Sequence, residues 1–375
     1  MTDSGWLPSR KLAERHGGLL ALGGHPVVDM PAHVVEAAAR AAARPVYPPT
    51  LGLRDLRAAI AERVGVELGR TVDPDRNVLV TVGGMQALFL AATVAGKAVV
   101  SHAPAFFFPQ LVAACGGRCV GTGGDDGAPD WEAFAAAIGP ETSLAIVNTP
   151  VNPTGYVFRE ADLEGIARAL AGSRFPLLAD EAYLGVLYDG GAHVSPATHP
   201  DLAGRTLLVR SFSKTYGLAA WRIGFAVGPE PLVSTMAKVL QWQTIAVDAV
   251  AQAAALAALT GPQGWIAEAV RELAEVRTRA VAAANATGLL RAELPEAGAF
   301  VWAAIDGRAR GDSTQALDEE AVSEALARDH GIPAVPGRAF GARSPHLRIP
   351  FGGRPEAQAA FLERLQAVAA SAETC

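Results

Sequence analysis

Over residues 33–44 and 54–66, apolar side chains recur at spacings of three and four with Arg and Glu between them, the rhythm of amphipathic helices. The rhythm then changes. Short apolar runs at 78–82, 98–101, 144–148, 176–179, 207–209 and 223–227 alternate with helical stretches such as 85–94 and 161–171. That alternation predicts an α/β domain whose largely parallel sheet is covered on both faces. The stretch up to Pro31 carries neither rhythm; Leu20-Ala21-Leu22-Gly23-Gly24-His25-Pro26 reads as an apolar run punctuated by a turn, within an arm or loop. Beyond Gly261 the pattern predicts a helix over 265–286, a strand over 298–305, a helix over 319–329, a strand over 345–350 and a last helix over 356–369. These C-terminal elements read as a smaller α+β domain. The Ala-rich stretches 37–43 and 251–258 are expected to be helix, because alanine has the highest helix propensity.

A length of 375 residues agrees with two domains, and the expected division is an N-terminal arm over 1–32, a large domain over 33–275 and a small domain over 276–375. Half of the residues are apolar, and 39 Gly and 25 Pro are spread along the chain, which excludes collagen-like and disordered classes. A formal charge of -6 offers no broad cationic surface, so neither nucleic acid nor membrane is an expected partner. Cys115, Cys119 and Cys375 form neither a disulfide framework nor a zinc-ribbon spacing, and no metal is expected. The first residues show no basic region followed by an apolar run. The expected location is the cytoplasm.

Four motifs carry candidate chemistry. In Val82-Gly83-Gly84-Met85-Gln86, an apolar run breaks at two glycines and enters a helix, whose unpaired N–H groups suit a phosphate. In Ser211-Phe212-Ser213-Lys214-Thr215-Tyr216-Gly217, a lysine follows an apolar strand, where partial desolvation would lower its pKa toward nucleophilic use. Arg222, eight residues on, adds a guanidinium able to clamp a phosphate. Between these lie the rigid turn Asn148-Thr149-Pro150-Val151-Asn152-Pro153-Thr154-Gly155 and Asp180 in Ala179-Asp180-Glu181-Ala182-Tyr183, at the end of the next strand. Ligands of open α/β sheets sit beyond such strand ends. Taken singly, each motif has a plainer reading: glycines for packing, a surface lysine, a turn-forming Asn, a helix-capping Asp. No Walker A, dinucleotide-loop or His-Glu-x-x-His pattern competes.

Together and in this order, the motifs resemble the class I and II aminotransferases of the aspartate-aminotransferase superfamily over essentially the whole chain. The resemblance implies the type I fold of pyridoxal-phosphate enzymes, a large domain with a mostly parallel sheet between helices plus a smaller α+β domain. It implies an enzyme that moves the α-amino group of an L-amino acid to a 2-oxo acid, through a Schiff base of pyridoxal 5′-phosphate on Lys214 and a pyridoxamine phosphate stage. A β/γ-lyase or cyclase would use the same scaffold. A noncatalytic sensor domain usually accompanies a basic DNA-binding extension, which this chain lacks.

By motif, Lys214 would be the covalent and proton-transferring residue, Asp180 the partner of the pyridine nitrogen, and Asn152 and Tyr183 donors to the ring's phenolic oxygen. Phe106 would stack on the ring, with Phe107 and Phe108 as neighbouring possibilities. The phosphate would be held by the backbone of Gly84 and Met85, by Ser211 and Ser213, and by Arg222. Tyr47 would reach the phosphate of a neighbouring subunit, which implies a homodimer. Arg348, in His346-Leu347-Arg348-Ile349, would grip the substrate carboxylate with help from Asn152 and Gly24, leaving Arg338 and Arg343 as surface charges. A branch of the family that uses aspartate carries a lysine where this chain has Met85, and a thioether cannot neutralise a carboxylate. A neutral, aromatic or specialised amino acid is therefore expected rather than strictly aspartate, with Met85 as plain core packing the simpler alternative. Trp6 and His25 could line the entrance.

Overall fold

The structure, a computed structural model, describes residues 8–124, 128–306 and 318–372. Seven strands form the larger sheet: β1 (Val78–Thr81), β2 (Ala98–His102), β3 (Arg118–Thr122), β4 (Leu144–Asn148), β5 (Leu177–Asp180), β6 (Thr206–Ser211) and β7 (Gly224–Val227). Their spatial order is β1-β7-β6-β5-β4-β2-β3, and β7 alone runs against its neighbours. Helices cover both faces, so β1, β2, β4 and β5 are buried along their whole length, as their near-continuous apolar runs require. The edge strand β3 is different. Arg118 and Val120 face solvent, so its sequence lacks an unbroken apolar run and no strand was expected there.

The topology fixes where a ligand can sit. After β3 the chain crosses to the other side of β2 to lay down β4, so the loops diverge at the carboxyl ends of β2 and β4. Beside that crevice Asn148 ends β4 opposite Asp180, which ends β5, and Ser211 ends β6.

A second, antiparallel sheet has the order β10-β11-β9-β8, built from β8 (Leu290–Ala292), β9 (Phe300–Ile305), β10 (Val335–Pro336) and β11 (His346–Pro350). The expected strand over 298–305 begins two residues late because Gly298, at φ +78°, makes the turn into it. Each sheet has its own apolar core. The helix Gly264–Ala286 touches both: Trp265 and Ile266 pack on the larger core, and Leu273, Val276, Ala280 and Ala284 belong to the smaller.

The N-terminal stretch is not all loop. Pro8–Arg15 is helical, a run whose leading proline can occupy a first helical turn without losing a hydrogen bond. It continues into a segment tied to the smaller sheet, with Leu20 N–H donating to Gly331 O (2.9 Å) and Gly23 bridging Gly352. Among the described residues no helix is long and apolar enough to cross a membrane.

Candidate active site

A cavity of about 550 Å³ lies between the carboxyl ends of the larger sheet, the smaller sheet and the N-terminal segment. One end of it is built for an anion. The helix Gly83–Ala95 starts directly after β1, and Gly83 takes φ +67°, a conformation that disfavours any side chain. A Cβ on Gly83 would stand 2.8 Å from Arg222 Nη2, and one on Gly224 would stand 2.6 Å from the Gly83 carbonyl carbon. Glycine at both positions thus lets the guanidinium close on the helix start. Arg222 itself sits at φ 54°, left-handed for a residue with a side chain, and Nη1 is anchored on Ala219 O at 2.7 Å. Ser211 caps the short helix Phe212–Thr215 by accepting from Ser213 N–H (3.1 Å), which leaves its own hydroxyl proton for a ligand.

Lys214 belongs to that short helix, its Nζ 5.6 Å from the centre of the Tyr183 ring. Burial draws its pKa down to about 8, the Arg348 and Arg222 charges pull the same way, and Asp180 opposes them. Asp180 is pushed up to about 7 by burial; the Ala182 N–H, donating to Oδ1 at 3.1 Å, and Lys214 hold it lower, while Glu181 adds to the rise. Glu181 points the other way, into the core, where it accepts from Arg210 Nε (2.9 Å) and from Ser195, and Arg210 also meets Glu67. Burial raises the Tyr183 phenol far above its ordinary value, so the hydroxyl stays protonated.

At the other end, the Arg348 guanidinium lies 4.4 Å from the Phe300 ring centre and 4.8 Å from that of Phe340. Nη1 donates to Asn152 Oδ1 at 3.1 Å, and the buried Nε has no partner. Burial lowers its pKa to about 10, and among the described residues no carboxylate pairs with it. An uncompensated buried guanidinium with open donors is a receptor for a carboxylate.

Gly24, Gly84, Met85, Phe106, Asn152, Asp180, Tyr183, Ser211, Ser213, Lys214, Arg222 and Arg348 all line this one cavity. Tyr47 does not; it is 75% exposed and stands outside. Phe106 and Phe107 both reach the cavity whereas Phe108 is fully buried behind them, and Phe107 packs on Phe340 with ring centres 4.7 Å apart. Met85 is 37% exposed at the cavity wall, which removes the reading of it as plain core packing. His25 is half-buried with its Nδ1 2.8 Å from Pro26 O, outside the residues that line the cavity but near enough for the Lys214 charge to act on it after burial in lowering its pKa; Trp6 lies outside the described residues. Arg338 is an exposed charge paired with Glu319 and Glu320.

Comparison with known proteins settles the family. The family model described as "Aminotransferase class I and II" matches residues 20–365. This chain is an aminotransferase of classes I and II. It is 36% identical over 357 residues to an aspartate/prephenate aminotransferase of Thermus thermophilus, with 92% of this chain and 89% of the relative covered. It is 29% identical to the methionine aminotransferase of Escherichia coli, covering 95% and 93% of the two chains. The crystal structure of an aspartate aminotransferase from Rhizobium meliloti superposes with a TM-score of 0.86 at 31% identity, covering 96% of this chain and 94% of that one.

Aminotransferases of this family use pyridoxal 5′-phosphate. The residues present fit that group: a glycine-lined helix start facing Arg222 for the phosphate, a buried carboxylate for the ring nitrogen, and a desolvated lysine between them. This aminotransferase also has site residues that sequence reasoning did not single out, namely Asn148, Phe300 and Phe340. All three lie in motif or predicted segments, Phe340 in Pro336-Gly337-Arg338-Ala339-Phe340-Gly341 ahead of the Arg348 strand, but nothing local marks them. Only the fold brings the two rings against the Arg348 guanidinium.

Proposed function

We propose that this aminotransferase takes its amino group from neutral amino acids with sizeable apolar side chains, aromatic ones among them, rather than strictly from aspartate. One observation carries the substrate class. Among the described residues lining the cavity the cations are Lys214, Arg222 and Arg348, each serving the lysine, phosphate or carboxylate place, and the wall away from the polar groups assigned below includes the apolar side chains of Leu19, Leu20, Leu22, Met85, Phe107 and Val335. A distal carboxylate would be buried there without a counter-charge, which costs several kcal/mol, whereas an apolar side chain gains roughly 1.5–3 kcal/mol. The methionine aminotransferase among the relatives agrees with this class.

When bound, the cofactor supplies a carbonyl that condenses with amines and a ring that withdraws electrons from the carbon carrying the nitrogen. In this reading the protein's own groups do the rest. Gly84 and Met85 N–H, Ser211, Ser213 and Arg222 hold the phosphate. Asp180 keeps the pyridine nitrogen protonated, Asn152 and Tyr183 donate to the phenolic oxygen, and Phe106 covers one face of the ring. Arg348 fixes the substrate by its carboxylate, with Gly24 and Asn152 beside it, and Lys214 Nζ carries the proton at the substrate α-carbon. A free amine fraction near neutrality follows from its lowered pKa.

The reading extends to assembly. A cytoplasmic homodimer is proposed in which Tyr47 completes the neighbouring subunit's phosphate place. Exposed Val46, Tyr47, Trp242 and Ile245 support an apolar contact surface, and Gln86 on the phosphate helix bonds Gln243 beside Trp242 (3.1 Å). The division into an arm (1–32), a large domain (33–275) and a small domain (276–375) is supported by the two separate cores and by the arm's bonds to Gly331 and Gly352.

The test is the visible spectrum of the cofactor-loaded protein, titrated with single amino acids without any oxo acid. Apolar donors should convert the absorbance band and release the matching oxo acid, while aspartate should do so poorly. Preference for aspartate overturns the substrate class. Release of ammonia in place of aminated cofactor would favour the lyase reading.

A further inference from the structure

Asn148 bonds both the turn that carries Asn152 and the strand end that carries Asp180. It ends β4, is almost fully buried, and lines the cavity. Its side-chain Oδ1 accepts from Asn152 N–H at 2.7 Å, and its Nδ2 donates to the Asp180 backbone oxygen at 2.9 Å. Its own N–H donates to His102 Nε2 at 3.0 Å. Asn152 in turn accepts from Arg348, and the Asp180 carboxylate accepts from Ala182 N–H. The amide thus ties the turn that carries Asn152 to the strand end that carries Asp180, whose backbone oxygen also accepts from Thr149 N–H at 3.0 Å. The third anchor is rigid, because His102 is boxed in by Trp131 and Phe158 and is the acceptor in its bond to Asn148.

We propose that Asn148 is a positioning residue for the aminotransferase reaction: its carboxamide sets Asn152 against Arg348 and Asp180 against the cofactor ring, so the carboxylate place and the ring-nitrogen place keep a fixed separation. This rests on the roles given above to Asn152, Asp180 and Arg348. The geometry explains why an amide is needed. A hydroxyl is too short to span both partners, and a carboxylate has no donor for the Asp180 oxygen.

The test compares cofactor-loaded Asn148→Ala and Asn148→Asp with Asn152→Ala and Asp180→Asn. Two readouts are followed: KM for the amino and oxo acids, and the pH midpoint of the bound cofactor's visible band. Asn148→Ala should raise both KM values about tenfold, the loss of one to two buried hydrogen bonds. It should also displace the midpoint, and combining it with Asn152→Ala should raise KM no further than Asn152→Ala alone. Asn148→Asp keeps the acceptor for Asn152 and loses the donor to Asp180, so it should raise the midpoint, since added negative charge favours protonated groups, with a smaller change in KM. A lower melting temperature with unchanged KM and midpoint in both Asn148 variants means a merely structural side chain and overturns the proposal. If Asn152→Ala and Asp180→Asn are themselves silent in both readouts, the assigned roles fail and this proposal falls with them, an outcome distinct from an inert Asn148.

Discussion

Arg348→Ala tests the carboxylate place most directly. In the wild type the guanidinium packs on the rings of Phe300 and Phe340 at 4.4 and 4.8 Å from their centres. One Nη is used by Asn152 and the buried Nε is open, leaving an edge that a carboxylate can meet with two charge-assisted bonds. At about 1.5–3 kcal/mol for each such bond, their loss amounts to about 3–6 kcal/mol. At 1.36 kcal/mol per decade, kcat/KM for the best amino acid should fall roughly 10²–10⁴-fold. The assay pairs that amino acid with the amine that lacks only its carboxyl group. Wild type should discriminate strongly between the two, and the variant should barely do so, because the amine never made the bonds. An equal loss on both substrates would mean general damage to the site. Unchanged kinetics on both substrates would move the carboxylate elsewhere, and either result refutes the assignment.

Three further outcomes follow from the geometry. In the cofactor-free protein Asp180 sits at about 7 against an ordinary 3.8, so its contribution to stability is complete below pH 3.8 and is lost as pH rises through about 7. Asp180→Asn should therefore gain melting temperature over wild type from about pH 5 to about pH 8, and an equal difference at both pH values would contradict the shift. Gly83→Ala must hold φ +67° and place a Cβ 2.8 Å from Arg222 Nη2, so cofactor affinity, read by fluorescence titration, should drop about tenfold while the fold persists. Met85→Lys puts an ammonium at the apolar wall and should raise the ratio of aspartate to apolar-donor kcat/KM about tenfold or more; a ratio that does not move would show that Met85 is remote from the side-chain place.

The parts of the fold that were legible in the sequence were those with one dominant cause. Central strands such as β4 and β5 are buried on both faces and read as unbroken apolar runs, whereas edge strand β3 and the three-residue β8 carry polar outward positions and were not expected. The motif residues from Gly84 to Arg348 were legible because each motif pairs a local backbone need with a reactive group, and they line one cavity. Tyr47 stands apart, outside the cavity of a single chain. The ring clamp on Arg348 and the hub at Asn148 had no local signature. Phe300 lies on β9 and Phe340 ends the short 3-10 helix Gly337–Phe340 forty residues on, and a phenylalanine in either place reads as core whichever partner it meets.

The electrostatics of the cavity show why these residues belong together. Among the described residues, Lys214, Arg222 and Arg348 are cations sharing one enclosed space with one carboxylate, Asp180, and the two arginines help depress the lysine. Such an arrangement costs stability in the free protein, since buried like charges repel and Arg348 has an open donor. In the proposed reading it is relieved by a phosphate at Arg222 and a carboxylate at Arg348, so each anion would bind a place that the fold already holds under repulsion. The lysine feels both events. With the carboxylate place open, Arg348 keeps the ammonium acidic and a free amine accessible near neutral pH; with an anion on Arg348, that repulsion is cancelled and the lysine holds its proton more tightly. In the proposed reading the charge state of Lys214 is therefore coupled to whether Arg348 and Arg222 carry their anions.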